Sequence, residues 1–253
     1  WPFIGRGFNR PYLGAFIGLL WFFMPNNLCA IFIEGNLARS LSMIFLPVFI
    51  YSVYKYLYNH KLRYIPLMVF TFLLMELCHL GYAGMVAIAV IIYGIVYIIQ
   101  KGRKKAALDV VISMIFGFML LGIWLVASLR GGITSLDNSE NMANFFQNLW
   151  ITINPFERLT RGFEYFYFGF ATLVVIVFGI LFGYKKSRTG FVTGFIILLM
   201  TTKSAYAVLK HLPGSQYLWM LRFISIALCM ILMSFLMWDR LKKTLVLMLC
   251  VLL

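Results

Sequence analysis

Charge is scarce in this chain. Only 12% of its 253 residues are Asp, Glu, Lys or Arg, and only eight of those are acidic, whereas 62% of the chain is hydrophobic. A soluble domain must clothe its surface in polar groups, so that class is excluded. Cysteine is sparse as well. Cys29, Cys78, Cys229 and Cys250 stand mostly inside apolar runs, and no pair has metal or redox spacing, which argues against a zinc site or a disulfide framework. No glycine-rich nucleotide-binding loop occurs. Strict alternation of apolar and polar residues is missing too, and that excludes a transmembrane β-barrel. What remains is a series of continuous apolar runs near 20 residues long, each able to cross about 30 Å of hydrocarbon. The chain therefore reads as an all-α polytopic bundle, a single transmembrane domain over residues 1–253.

The few charges are sorted. Of the 22 Lys and Arg residues, 15 fall in five clusters: Arg6/Arg10, Lys55/Lys61/Arg63, Lys101/Arg103/Lys104/Lys105, Lys185/Lys186/Arg188 and Arg240/Lys242/Lys243. Only Asp109 and Asp239 accompany them. The intervening loops carry Arg39, Arg130, Arg158, Arg161, Lys203, Lys210 and Arg222 against Glu34, Glu76, Asp137, Glu140, Glu157 and Glu164. Cationic loops are retained in the cytoplasm during insertion, so the alternation predicts orientation. The basic loops are cytoplasmic, and loops 33–40, 128–166 and 203–222 are extracytoplasmic. A net charge of +14 often signals nucleic acid. Here topology accounts for it, because the excess sits in short loops at span ends.

About nine spans are predicted, the last incomplete. They lie near 11–32, 41–58, 107–127, 167–184, 190–207 and 223–238, with two more inside 64–100 and a ninth from Thr244. An unbroken helix over 64–100 would be about 55 Å long. The polar cluster Glu76 to Gly84 at its middle predicts a hairpin turning there. Segment 128–166 is a long extracytoplasmic loop, mobile in its first half and interfacial from Met142 to Ile153. A second extracytoplasmic loop covers 203–222. The chain begins at Trp1 rather than Met and stops inside an apolar run, so it is read as a piece of a longer protein.

Four places could carry chemistry. Glu34, Asn36 and Arg39 share one outer turn just after Asn26-Asn27 in a span. Amides and charges are costly in hydrocarbon and usually face a cavity or one another, so this turn could bind a phosphate or sugar. An ordinary capped turn is the plainer alternative. Glu76 and His79, spaced i, i+3, would share a helical face and could hold a divalent cation, shuttle a proton or merely close the hairpin. The stretch containing Glu157, Arg158 and Arg161 suits an anionic or glycan ligand. Arg222, at the mouth of span eight, could grip a phosphate bidentately or snorkel to headgroups.

Gly35-Asn36-Leu37-Ala38-Arg39, Leu46-Pro47 in the next span, Leu77-Cys78-His79, the long loop after span five, and Leu212-Pro213 with Arg222-Phe223 together resemble one family over about residues 25–240. They are similar to bacterial membrane proteins described as 6-pyruvoyl-tetrahydropterin synthase-related, which are grouped with GT-C-type glycosyltransferases. The resemblance implies a GT-C-like fold and transfer of a sugar from a polyprenyl-phosphate donor to an acceptor on the outer face. It also implies a catalytic Asp or Glu in a first outer loop, which this chain is read as starting after. Glu34 does not match that position. His79 and Arg222 match recurring ones, for acceptor positioning and phosphate contact.

The expectation is thus a bacterial plasma-membrane glycosyltransferase acting on an envelope glycan or lipid, with the bilayer, the polyprenyl-phosphate donor and that acceptor as partners. Glu34 and His79 are its candidate catalytic residues, and Asn27, Asn36, Arg39, Arg158 and Arg222 its candidate substrate contacts. No residue set demands a metal; a divalent cation, Mg or Mn, is the one candidate cofactor. The rivals are a polysaccharide polymerase or ligase, a transporter or flippase, and a non-catalytic scaffold.

Overall fold

The structure, a computed structural model, describes residues 1–33, 35–122, 168–183, 185–211 and 220–238, with Trp124, Val126 and Ile153 as isolated positions. These residues form helices and no β-strand. In chain order they are α1 (Pro2–Gly7), α2 (Pro11–Phe23), α3 (Pro25–Leu28) running into a π-helical turn (Cys29–Ile33), α4 (Leu37–Asn59), α5 (Tyr64–Lys101), α6 (Lys104–Leu120), α7 (Phe170–Phe182), α8 (Lys185–Met200), α9 (Lys203–Leu209) and α10 (Met220–Leu236). By length and composition, α4 and α5 can cross a membrane, and α2 with the segment Pro25–Ile33 makes a third candidate span if the bent pair counts as one.

That first span is broken. Proline disfavours the α conformation in the residue before it. Met24, which precedes Pro25, accordingly adopts φ −60°, ψ 136°, and the chain bends by 60° between the two helical pieces. The span expected over 11–32, with Pro25-Asn26-Asn27 inside it, is thus a bent pair of helices in which the proline starts the second.

α5 is interrupted at His79, whose φ −157° and ψ 92° are extended rather than helical. The two halves run back along one neighbour. Tyr64 stacks edge-on against Tyr51, Phe72 lies against Phe49 and Ser42 Oγ donates to Met75 O, all on the first half. On the second half, Tyr97 OH donates to Leu57 O and its ring meets Tyr58. Tyr64 and Tyr97 would stand about 50 Å apart in one straight helix. Both instead pack beside residues 51–58 of α4, so the chain reverses at His79, as the polar cluster there predicts.

α10 is the core. Each of its 17 residues is buried, and α2, α4, α5 and α8 surround it. α8 packs closest, because two glycines face α10. A Cβ at Gly190 would stand 2.0 Å from Ser234 Oγ, and one at Gly194 would stand 2.5 Å from Ile231 Cγ1. The expected crossing at 190–207 is shifted. α8 already starts at Lys185 and stops at Met200, where Thr201 and Thr202 hydroxyls turn back onto the carbonyls of Leu198 and Leu199. Part of the predicted loop 203–222 is then helical, as α9.

The polar loops segregate to two ends. At one end Lys55 donates to Gly7 O, Arg103 meets His60, and Thr189 joins Gln100 and Tyr58. Thus the basic segments near residues 6, 55–63, 101–105 and 185–189 converge. Asp109, the acid of that set within α6, accepts from Tyr56 OH. The opposite end holds Arg39, the His79 break and Arg222.

Candidate functional site

The site begins with helix ends. α4 starts at an Asn36 N-cap, whose Oδ1 accepts from Arg39 N–H at 2.9 Å. This cap fixes the first turn and turns the Arg39 side chain inward, where it is fully buried. Arg39 Nη2 donates to Asn26 Oδ1 at 3.3 Å, and its guanidinium lies 6.0 Å from the centre of the Tyr82 ring. Asn26 is also fully buried, and its Nδ2 donates to Leu221 O at 3.1 Å. The bend at Met24 is what aims Asn26 at α10. Asn27 turns the other way, donating to Trp21 O.

The second half of α5 supplies the next side. His79 caps it: Tyr82 N–H donates to His79 Nδ1 at 3.1 Å. His79 Nε2 stands 3.3 Å from Arg222 Nη1. The imidazole and the guanidinium thus meet beside the positive end of a helix running from about residue 80 to Lys101. Tyr82 OH lies 2.9 Å from Ser225 Oγ, and Ser225 Oγ donates to Arg222 O at 2.9 Å. Trp21 Nε1 donates to Ser225 O at 3.3 Å, closing the cluster onto α2.

The structure thus brings together Asn36, Arg39, His79 and Arg222, from the α4 cap, α4, α5 and α10, whereas Asn27 points away from them to Trp21 O. Glu34 and Arg158 lie outside the described residues, as do most of loop 128–166, positions 212–219 and the ninth span. Asn26, Tyr82 and Ser225 complete the cluster and were not among the candidates. Their signals were present: Tyr82 sits in the polar break of an apolar run, and Ser225 is i+3 from Arg222.

One pairing is corrected. Glu76 and His79 do not share a face, because the extended backbone at His79 ends the helical register that i, i+3 spacing assumes. His79 faces Arg222, whereas Glu76 faces α6, with its Oε2 3.8 Å from where a Gly117 Cβ would be. Among the described residues no group of three or more His, Cys, Asp or Glu side chains is placed to hold a metal ion.

Chemically, the cluster is cationic and rich in donors. Two guanidinium groups, an imidazole and a helix start, gathered at one end of an apolar bundle, suit an oxyanion. Over residues 1–253 the chain matches the family described as 6-pyruvoyl-tetrahydropterin synthase related domain; membrane protein. Neither the curated proteins nor the solved structures contain a match.

Proposed function

The chain belongs to the 6-pyruvoyl-tetrahydropterin synthase-related family of membrane proteins, and from that premise we propose that it is a GT-C-like glycosyltransferase of the bacterial plasma membrane. It moves a sugar from a polyprenyl-phosphate donor to an envelope glycan or lipid. The observation that carries this reading is the meeting of Arg39, His79 and Arg222 at the end of the bundle opposite the basic loops. In the proposed reaction an acceptor hydroxyl attacks the anomeric carbon, the C–O bond to phosphate breaks, and the leaving phosphate keeps the electron pair. Arg222 and Arg39 stabilise that developing charge, His79 positions the acceptor, and Glu34 takes the hydroxyl proton. A divalent cation on the phosphate is the one cofactor this scheme would admit. The site end is extracytoplasmic, and the helices are part of about nine crossings.

Transport is the second reading, favoured by one feature. A span broken at Met24 with Asn26 and Asn27 buried beside the break resembles the discontinuous helices that line transporter sites. Purified protein in liposomes, supplied with a polyprenyl-phosphate sugar labelled in the sugar, separates the two. Label appearing in a new lipid or glycan product supports transfer. Label crossing the bilayer on an unchanged donor, with no product, replaces it with transport.

A further inference from the structure

Where Glu76 faces α6, away from the His79–Arg222 pair, a furrow runs between α6 and both halves of α5. Near its upper end it has a volume of about 380 Å³ and is lined by Phe72, Glu76, Gly84, Met114 and Phe118 among others. A second stretch of about 380 Å³ extends it towards Lys104 and Lys105, and both stretches share Ile91 and Val111. Its rim is open, since Ile91, Ile115 and Phe118 are between 42% and 54% exposed. Apart from Glu76 and, at its other end, Lys104 and Lys105, its wall is apolar. Glu76 is 2% exposed, and among the described residues its Oε2 has no hydrogen-bond partner. Gly117 of α6 lies beside the carboxyl, and a Cβ there would stand 3.8 Å from Glu76 Oε2, an ordinary contact distance.

An ionisable group buried in the wall of a membrane helix bundle is costly and marks a site by default. A carboxyl with an unused oxygen at the end of an apolar channel fits one ligand chemistry: a long hydrocarbon chain that presents a hydroxyl. We propose that this furrow binds a lipid alcohol, its chain lying along α6 towards Lys104 and its hydroxyl donating to Glu76 Oε2. Because Glu76 faces α6 and not the Arg39, His79 and Arg222 cluster, this lipid is not the acceptor of the proposed transfer, and its binding does not rest on that reading.

The test uses the full chain in detergent micelles with two photoreactive probes, a diazirine-bearing diacylglycerol and its methyl ether. The alcohol should label α5 and α6 about tenfold more than the ether does, a preference of the size expected for satisfying one buried polar oxygen. Glu76→Leu should abolish that preference, and Glu76→Gln, which keeps an acceptor oxygen, should retain part of it. Gly84 has open space around its would-be Cβ, so Gly84→Phe should plug the furrow and block labelling without disturbing the fold. Equal labelling by both probes, or a preference that survives Glu76→Leu, overturns the proposal and leaves the furrow as ordinary lipid contact. Retention of a polyprenyl phosphate is read in parallel. It depends on Arg222, so its loss with intact alcohol binding would count against the transferase reading alone.

Discussion

At the scale of residues, His79 has two tasks that a substitution can separate. Its Nδ1 caps the second half of α5, and its Nε2 faces Arg222. His79→Asn should keep the cap, because asparagine is among the preferred N-cap residues. The variant should therefore express and melt like the parent yet lose most sugar transfer. His79→Ala should lose the transfer and about 1 kcal/mol of stability as well. Equal activity in His79→Asn and the parent, measured in liposomes, would confine His79 to a capping role. Arg222 is separable in another way. A guanidinium can hold a phosphate with two parallel hydrogen bonds, whereas an ammonium acts as a point charge. Arg222→Ala should weaken polyprenyl-phosphate binding about 10- to 100-fold, and Arg222→Lys should recover part of that. If Ala and Lys weaken binding equally, the geometry of the fork is not used, and if neither weakens it, Arg222 does not touch the donor.

At the scale of elements, sequence pattern and structure agree best where an apolar run is too long for one crossing. The 38 residues of α5 and the polar residues at their centre were enough to predict the reversal. The break at Met24 was equally written in the sequence, since Pro25 restricts the residue before it, yet an apolar run on both sides hid it. Pro47 shows why a proline alone does not decide the matter: it lies inside α4, which continues through it. The site was legible as separate residues, but not as a cluster. Arg39, His79 and Arg222 were each singled out, whereas Asn26, Tyr82 and Ser225 depend on how α3, α5 and α10 meet. No local pattern encodes that meeting. Gly190 and Gly194, four residues apart on α8, are different. Small residues at that spacing let membrane helices approach closely, and here α10 occupies the space. Gly194→Leu should force α8 off α10 and cost about 1–3 kcal/mol, read as a lowered melting temperature in detergent. Gly84→Ala, with nothing near its would-be Cβ, should not lower it.

At the scale of the whole molecule, the sorting of charge in the sequence becomes a sorting in space. The segments with most of the Lys and Arg residues meet at one end, through Lys55 to Gly7, Arg103 to His60 and Thr189 to Gln100. Arg39 and Arg222, outside those segments, meet His79 at the other end and are drawn inside. The first group is what the retention of solvated positive charge on the cytoplasmic side would act on. The second group does not serve insertion in that way, because Arg39 is wholly buried and Arg222 is 9% exposed. Burying a guanidinium within a membrane bundle costs a few kcal/mol even on the most lenient scales, about 2.5–3.5, so under the proposed function that cost is offset by the phosphate the cluster holds. This predicts an orientation. In a variant whose native cysteines are replaced, Leu37→Cys, at an exposed position beside the site, should react with an impermeant thiol reagent added to intact cells. Lys104→Cys, at the basic end, should react only after the membrane is opened. The reverse pattern would place the cationic cluster in the cytoplasm, beside soluble nucleotides rather than extracytoplasmic acceptors. A donor carried on polyprenyl phosphate would then no longer be the ligand its chemistry favours.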